Sequence, residues 1–160
     1  MTAPILTPDH PATLRFVFPA DFPSARAAAA AVRSFLAEQG VAVADLFGYE
    51  LCVAEACNNS VEYAIPPGPE NRSLVEAVCS TGQIELRVSD HTEGFDWPTS
   101  FENPAVHSER GRGLFIIHSF MDEVLYLRGG KENLLVMRKR RPVPAISTGP
   151  KEAAPTTEED

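Results

Sequence analysis

The apolar positions of this chain change period several times, and each change marks an element. Residues 13–18, TLRFVF, alternate, with Leu14, Phe16 and Phe18 on one side, as in a strand with one buried face. The next stretch, DFPSARAAAAAVRSFLAEQG, takes a helical period. Pro23 and Ser24 stand where a helix starts and Gly40 where it stops. The alanine run between them is strongly helix-forming, interrupted by Arg26 and Arg33. A second helix is predicted from Asp45 to about Ala64, where IPPGPENR breaks it. Residues 73–79 and 83–90 read as two strands joined by a short turn at Gly82. In the second, Ile84, Leu86 and Val88 form the buried side, while Glu85 and Arg87 point away. No period is sustained over residues 91–110, which contain Pro98 and Pro104, so a long loop is expected; such loops in compact domains are usually functional or mobile. GLFIIHSFM resumes as a helix, and EVLYLR and LLVMRKR form a hairpin across GGKEN.

Strand, two helices, two strands, loop, helix and two strands predict an α+β fold: a two-layer sandwich of a mixed, mostly antiparallel sheet with three helices on one face. The expected organisation is a flexible N-terminus over 1–12, one domain over 13–141 and a disordered tail over 142–160. That tail is rich in Pro, Thr and Glu and has no apolar pattern.

Composition narrows the function classes. At 160 residues the chain suits one domain with a real core. Its longest apolar runs, such as LFII at 114–117, are too short to span a membrane. The N-terminus lacks the basic start and long apolar core of a signal peptide, so the cytoplasm is the expected compartment. Cys52, Cys57 and Cys79 have neither CxxC spacing nor an even count and read as buried free thiols. The histidines form no zinc-like set. A net charge of −8 argues against nonspecific nucleic-acid binding, and RKRR at 138–141 reads as a solvated strand end.

One stretch resists a purely structural account. AEACNNSVEYA, residues 54–64, puts two asparagines inside an apolar helix, although asparagine is a poor helix former. At helical spacing Glu55, Asn59 and Glu62 share one face. Alone, this also reads as a solvent-facing polar stripe. Two further pieces bear on it. In VSDHTEGFD, Asp90 ends a buried strand and Gly94 follows; in ERGRGLFII, Gly111 and Gly113 precede a helix. Each alone is also a common cap or turn.

In this order the three pieces resemble the GHKL ATPase superfamily, which includes gyrase, the heat-shock chaperone and sensor histidine kinases. The nearest likeness is to the small anti-sigma-factor serine/threonine kinases. YELCVAEACNNSVEYA is similar to that family's asparagine box, VSDHTEGFD to its first glycine box, and GRGLFIIHSFMDEV to its second. The resemblance covers about residues 13–140. It implies a Bergerat-type ATP-binding fold using ATP and Mg²⁺, with Asn59 as magnesium ligand and Glu55 as general base. It implies that Asp90 accepts a hydrogen bond from the adenine amine. Thr92, Gly94, Gly111, Gly113 and Leu114 complete the ATP-binding set, with Arg110 and Arg112 adding positive charge. The residue types suit these roles. An amide oxygen is a hard ligand that adds no charge beside a triphosphate, and glycines at a helix N-terminus let backbone N–H groups approach phosphates. Asn58 is then a polar neighbour of Asn59.

The resemblance further implies a sigma factor and an anti-sigma-factor antagonist as partners, a homodimer, and partner contact near the start of the first helix, at Arg26. An ATP-binding sequestering module without kinase activity and a detached sensor-kinase catalytic domain are the alternatives. Four positions depart from the pattern: Thr92 replaces the first glycine of Asp-x-Gly-x-Gly, Asn133 and Leu134 replace the Gly-Thr opening the last strand, and Tyr63 stands where histidine is frequent. A β-branched residue disfavours positive φ, so the loop after Asp90 is expected to take another shape.

Overall fold

The computed structural model describes residues 10–96 and 111–142. Eight elements follow in order: β1 (Ala12–Pro19), α1 (Phe22–Glu38), α2 (Val43–Glu62), β2 (Arg72–Cys79), β3 (Gln83–Asp90), α3 (Arg112–Phe120), β4 (Glu123–Arg128) and β5 (Asn133–Arg140). The strands form one five-stranded sheet, β1-β2-β3-β5-β4, antiparallel at every pairing. This is the expected α+β sandwich. Residues 1–9, 97–110 and 143–160 lie outside the described residues, and with them most of the expected flexible terminus, loop and tail.

Local chemistry sets the element ends. Asp21 caps α1 by accepting a hydrogen bond from Ser24 N at 2.7 Å, just before Pro23 in the first turn. At the other end Gly40 takes φ +78, and Val41 N reaches back to Leu36 O at 3.1 Å. The second helix begins two residues before Asp45, which becomes an acidic first-turn residue favoured by the helix dipole.

Strand register turns the alternation into layers. One row across the sheet holds Phe16, Val75, Val88, Leu135 and Tyr126; the next holds Leu14, Ala77, Leu86, Met137 and Val124. These rows pack against Ala28, Val32 and Leu36 of α1, Val53 and Ala56 of α2, and Ile117 of α3 in one core cluster. All three cysteines are free and buried there. Burial pushes the Cys52 thiol up to about 12, so it stays protonated and serves as packing. No described helix is long and apolar enough to cross a membrane.

The opposite sheet face differs from expectation in one respect. Glu85 does point away from the helices, yet it is buried, because Arg87 on its own strand and Arg138 opposite it on β5 both pair with its carboxylate. Arg138 also reaches Glu123 of β4 at 2.9 Å. Burial alone raises the Glu85 pKa, but the hydrogen bonds from Arg138 and Arg87 outweigh it and hold the carboxyl below its ordinary value. The RKRR run is therefore more than a solvated strand end. Lys139 donates to Phe120 O at 2.8 Å and sits over the Phe120 ring, and Arg141 donates to Gln39 O at 3.2 Å.

Helix α3 is seated on α2 by one glycine. A Cβ at Gly48 would overlap the Phe120 ring, which Tyr49 meets edge-on at 5.0 Å and Lys139 covers from another side. A shift of the ring would disturb both contacts. Gly48→Ala is expected to destabilise the fold by about 1–3 kcal/mol, the usual cost of overpacking. A thermal melt showing an unchanged Tm would refute that role.

Candidate functional site

A cleft of about 950 Å³ opens between the C-terminal half of α2, the segment after β3 and the N-terminus of α3. The sheet-to-helix geometry creates it: α2 crosses the sheet beside β3, and Asp90, the last residue of β3, comes to the level of Ser60. Ser60 Oγ shares its hydrogen between Ala56 O and Asp90 Oδ2, each at 3.1 Å.

Of the residues singled out in the sequence, Glu55, Asn59, Asp90, Thr92, Gly94, Gly111, Gly113 and Leu114 all line this one cleft. Glu62 joins them, and so does Asn58, expected only as a neighbour. Arg112 is not in the lining but acts electrostatically on Glu55. Arg110 lies outside the described residues. Arg26 is exposed on α1, away from the cleft lining, although Phe22, one turn earlier, is part of that lining. Pattern reasoning missed Phe22, Ile65 and Phe95, apolar side chains that stay at least one-third exposed around the opening. Among the sequence's signals only Phe95, directly after Gly94, hinted at a wall there.

Glu55 and α3 meet closely. A Cβ on Gly113 would stand 2.6 Å from Glu55 Oε2, so any larger residue there would make the carboxylate shift from its place against the helix N-terminus. Partial burial raises the Glu55 pKa above the ordinary glutamate value, and the Arg112 guanidinium partly offsets it. Gly111 caps α3 in the left-handed region at φ +87, a conformation that glycine adopts without cost. The first N–H groups of α3 are thereby turned outward at the positive end of the helix dipole.

The segment after Asp90 has the altered shape expected from Thr92. No residue other than glycine has positive φ among the described residues, and Thr92 instead bridges to Ala64 in extended conformation. Its Oγ1 donates to Asp90 Oδ1 at 3.2 Å and accepts from Gly94 N at 3.0 Å. Gly94, at φ +75, then carries Phe95 onto Tyr126, ring centroids 4.3 Å apart. Asn133, noticed in the sequence only as a departure, donates to Asp90 Oδ1 at 3.1 Å.

The donor set fits a magnesium–nucleotide complex. Among the described residues no group of three His, Cys, Asp or Glu side chains is placed to hold an ion by itself. Asn59 offers a neutral hard oxygen instead, in a cleft with backbone N–H groups at one end and a carboxylate acceptor at the other. Magnesium characteristically keeps phosphate and water ligands and takes few from protein.

Known proteins resemble this chain in sequence and in fold. The serine-protein kinase RsbW of Listeria monocytogenes is 31% identical over 104 residues, covering 56% of this chain and 66% of that protein. The anti-sigma F factor of Heyndrickxia coagulans is 26% identical over 99 residues, covering 58% and 67%. The chain thus spans about two thirds of the length of these curated relatives. Among solved structures, the RsbU and RsbW domains of Rv1364c from Mycobacterium tuberculosis match with a TM-score of 0.58 at 19% identity, over 82% of this chain and 33% of that one. The SiaB–SiaC complex from Pseudomonas aeruginosa matches with a TM-score of 0.58 at 14% identity, over 80% and 89%. At those identities the likeness is one of fold. The model of the histidine kinase-like ATPase domain matches residues 18–139, most of the chain, and the chain belongs to that family.

Proposed function

We propose that this protein binds ATP with Mg²⁺ in the α2–β3–α3 cleft, sequesters a sigma factor, and phosphorylates a serine or threonine of an anti-sigma-factor antagonist. The observation that carries this reading is the convergence of Glu55, Asn59, Asp90 and the α3 N-terminus on a single cleft. One relative's name, serine-protein kinase, supports the transferase half, and another's, anti-sigma F factor, supports the sequestering half.

The positions support a role for each residue. Asp90 accepts from the exocyclic amine of adenine. Asn59 supplies one oxygen to the metal, which screens phosphate charge when bound. The α3 N-terminus, opened by Gly111 and Gly113, holds phosphate oxygens on backbone N–H groups. Glu55 accepts the proton of the attacking hydroxyl; its raised pKa brings it nearer the working range of a general base. Incubation with labelled ATP, magnesium and candidate antagonist proteins tests the whole. Label on a serine or threonine is the expected result; tight nucleotide binding without transfer would favour the sequestering module instead.

Partner binding is assigned to the start of α1. Arg33, on nearly the same helix face as Arg26, is tied to Glu50 of α2 at 2.6 Å, whereas Arg26 is exposed on an alanine-rich surface. A guanidinium there can pair bidentately with a partner's carboxylate. Arg26→Ala is expected to weaken partner capture several-fold while leaving ATP affinity intact. Equal capture by this variant, in a pull-down with a purified sigma factor or antagonist, would remove Arg26 from the interface.

A further inference from the structure

Two of the positions where the sequence departs from its family's pattern, Thr92 and Asn133, touch each other. Asn133 opens β5 opposite Asp90 in the β3–β5 register and is 2% exposed. Its Nδ2 lies 3.1 Å from Asp90 Oδ1, 3.0 Å from Thr92 O and 3.1 Å from Thr92 Oγ1. Three acceptors around one end of the amide fix its orientation, because the flipped amide would set oxygen against oxygen. Thr92 Oγ1 closes the triangle by donating to the same Asp90 Oδ1 at 3.2 Å.

The result is an asymmetric carboxylate. Oδ1 receives two donors and has no lone pair to spare, whereas Oδ2 receives only Ser60 Oγ and keeps one. Rotation of the carboxylate would break both Oδ1 bonds. The cluster also carries a cost, since Asn133 Oδ1 is buried with no hydrogen-bond partner among the described residues. A polar side chain kept in the interior at that cost calls for an explanation beyond packing.

We propose that Thr92 and Asn133 act as one coupled positioning pair that fixes Asp90 with one Oδ2 lone pair open, making the cleft selective for purines that carry a 6-amino group. This rests on the reading of the cleft as an adenine-nucleotide site. Preorganisation is the physical basis: a carboxylate already held in place loses no freedom when the amine arrives. The pair acts through Asp90 rather than on the base. Thr92 extends its effect to the neighbouring wall by holding Gly94 N at 3.0 Å.

The test compares ATP with purine riboside triphosphate, which lacks the 6-amino group, by calorimetry with magnesium on the full chain. Wild type is expected to prefer ATP about tenfold or more, the scale of one charge-assisted hydrogen bond. Asn133→Ala and the near-isosteric Thr92→Val are each expected to cut ATP affinity roughly three- to tenfold. Neither should change affinity for the deaminated nucleotide comparably, so the preference shrinks. Because the pair acts as a unit, the double variant should lose less than the product of the single losses. Equal losses for both nucleotides, multiplicative losses, or undiminished preference in folded variants would each overturn the pair while leaving the nucleotide site standing. Where Asn133→Ala does not fold, Thr92→Val decides. A wild-type chain that binds neither nucleotide would overturn the cleft's reading and the pair together.

Discussion

Glu55→Gln is expected to lower phosphoryl transfer by about 10² or more, the usual contribution of a positioned base, while ATP binding and the fold survive. The change removes one proton acceptor and little volume, and Gly113 still leaves room for the side chain. Two pH effects accompany it, with opposite consequences. Transfer needs the ionised carboxylate, and burial raises the Glu55 pKa despite Arg112 nearby, so activity should fall on the acid side at a pH above the ordinary glutamate value of 4.5. Removing the offsetting charge in Arg112→Ala should move that acid limb higher still. For stability the sign is reversed. The folded chain holds the Glu55 proton more tightly than the unfolded chain does. Stability from this group therefore declines as pH rises from the ordinary value through the raised one. Glu55→Gln lacks that loss, so its Tm at neutral pH should equal or exceed that of wild type. A pH–rate profile and a melt of the same variant separate the two effects. Full transfer by Glu55→Gln would show that the base lies elsewhere.

The sign is opposite at Glu85. Its pKa is held down by Arg138 and Arg87, so its contribution is present above the unfolded value and is lost as pH falls through the folded one. One glutamate thus sits in the cleft at some cost to stability, and the other stabilises. Both stand in apolar-flanked sequence, at residues 55 and 85. What distinguishes them is the company that the fold supplies: a glycine-capped helix end for Glu55, two arginines for Glu85.

That distinction also marks how far the sequence could be read. Every described element lies close to where periodicity placed it, because alternation and helical period are properties of neighbouring residues. Glu85 was expected to point away from the buried side, and burial of its carboxylate depends on strand order. Only the β3–β5 pairing sets Arg138 opposite it, with a sequence separation of 53 residues. The cleft was legible to the extent that its residues sit in short boxes: Glu55 with Asn59, Asp90 with Gly94, Gly111 with Gly113. Ser60 and Asn133, which are outside its lining but hold Asp90, were not linked to it. Ser60 shows no pattern of its own beside Asn59, and Asn133 meets Asp90 only once β5 is laid beside β3. Phe22 reaches the cleft from the start of α1, a juxtaposition made by the packing of α1 on α2.

Asp90→Asn is expected to weaken ATP binding by about tenfold or more, and the surrounding hydrogen bonds explain why the amide cannot adapt. A free asparagine could turn its carbonyl toward the base. Here Asn133 Nδ2 donates to the Oδ1 position, and Thr92 Oγ1 donates there as well. Placing an NH₂ at that position would oppose donor to donor, so the carbonyl must remain there. The NH₂ is then forced to the Oδ2 position. Ser60 tolerates this, because its hydroxyl can direct its hydrogen wholly to Ala56 O and accept from the new amide. The fold should therefore survive with little change in Tm. The adenine amine, however, would now meet a donor where it met a charged acceptor. Loss of a charge-assisted hydrogen bond removes roughly 1.5–3 kcal/mol, about one to two decades in affinity. Calorimetry with ATP and magnesium measures it directly. Purine riboside triphosphate, with no amine to repel, should lose far less on the same substitution. Unchanged ATP affinity in folded Asp90→Asn would mean that the base does not contact Asp90.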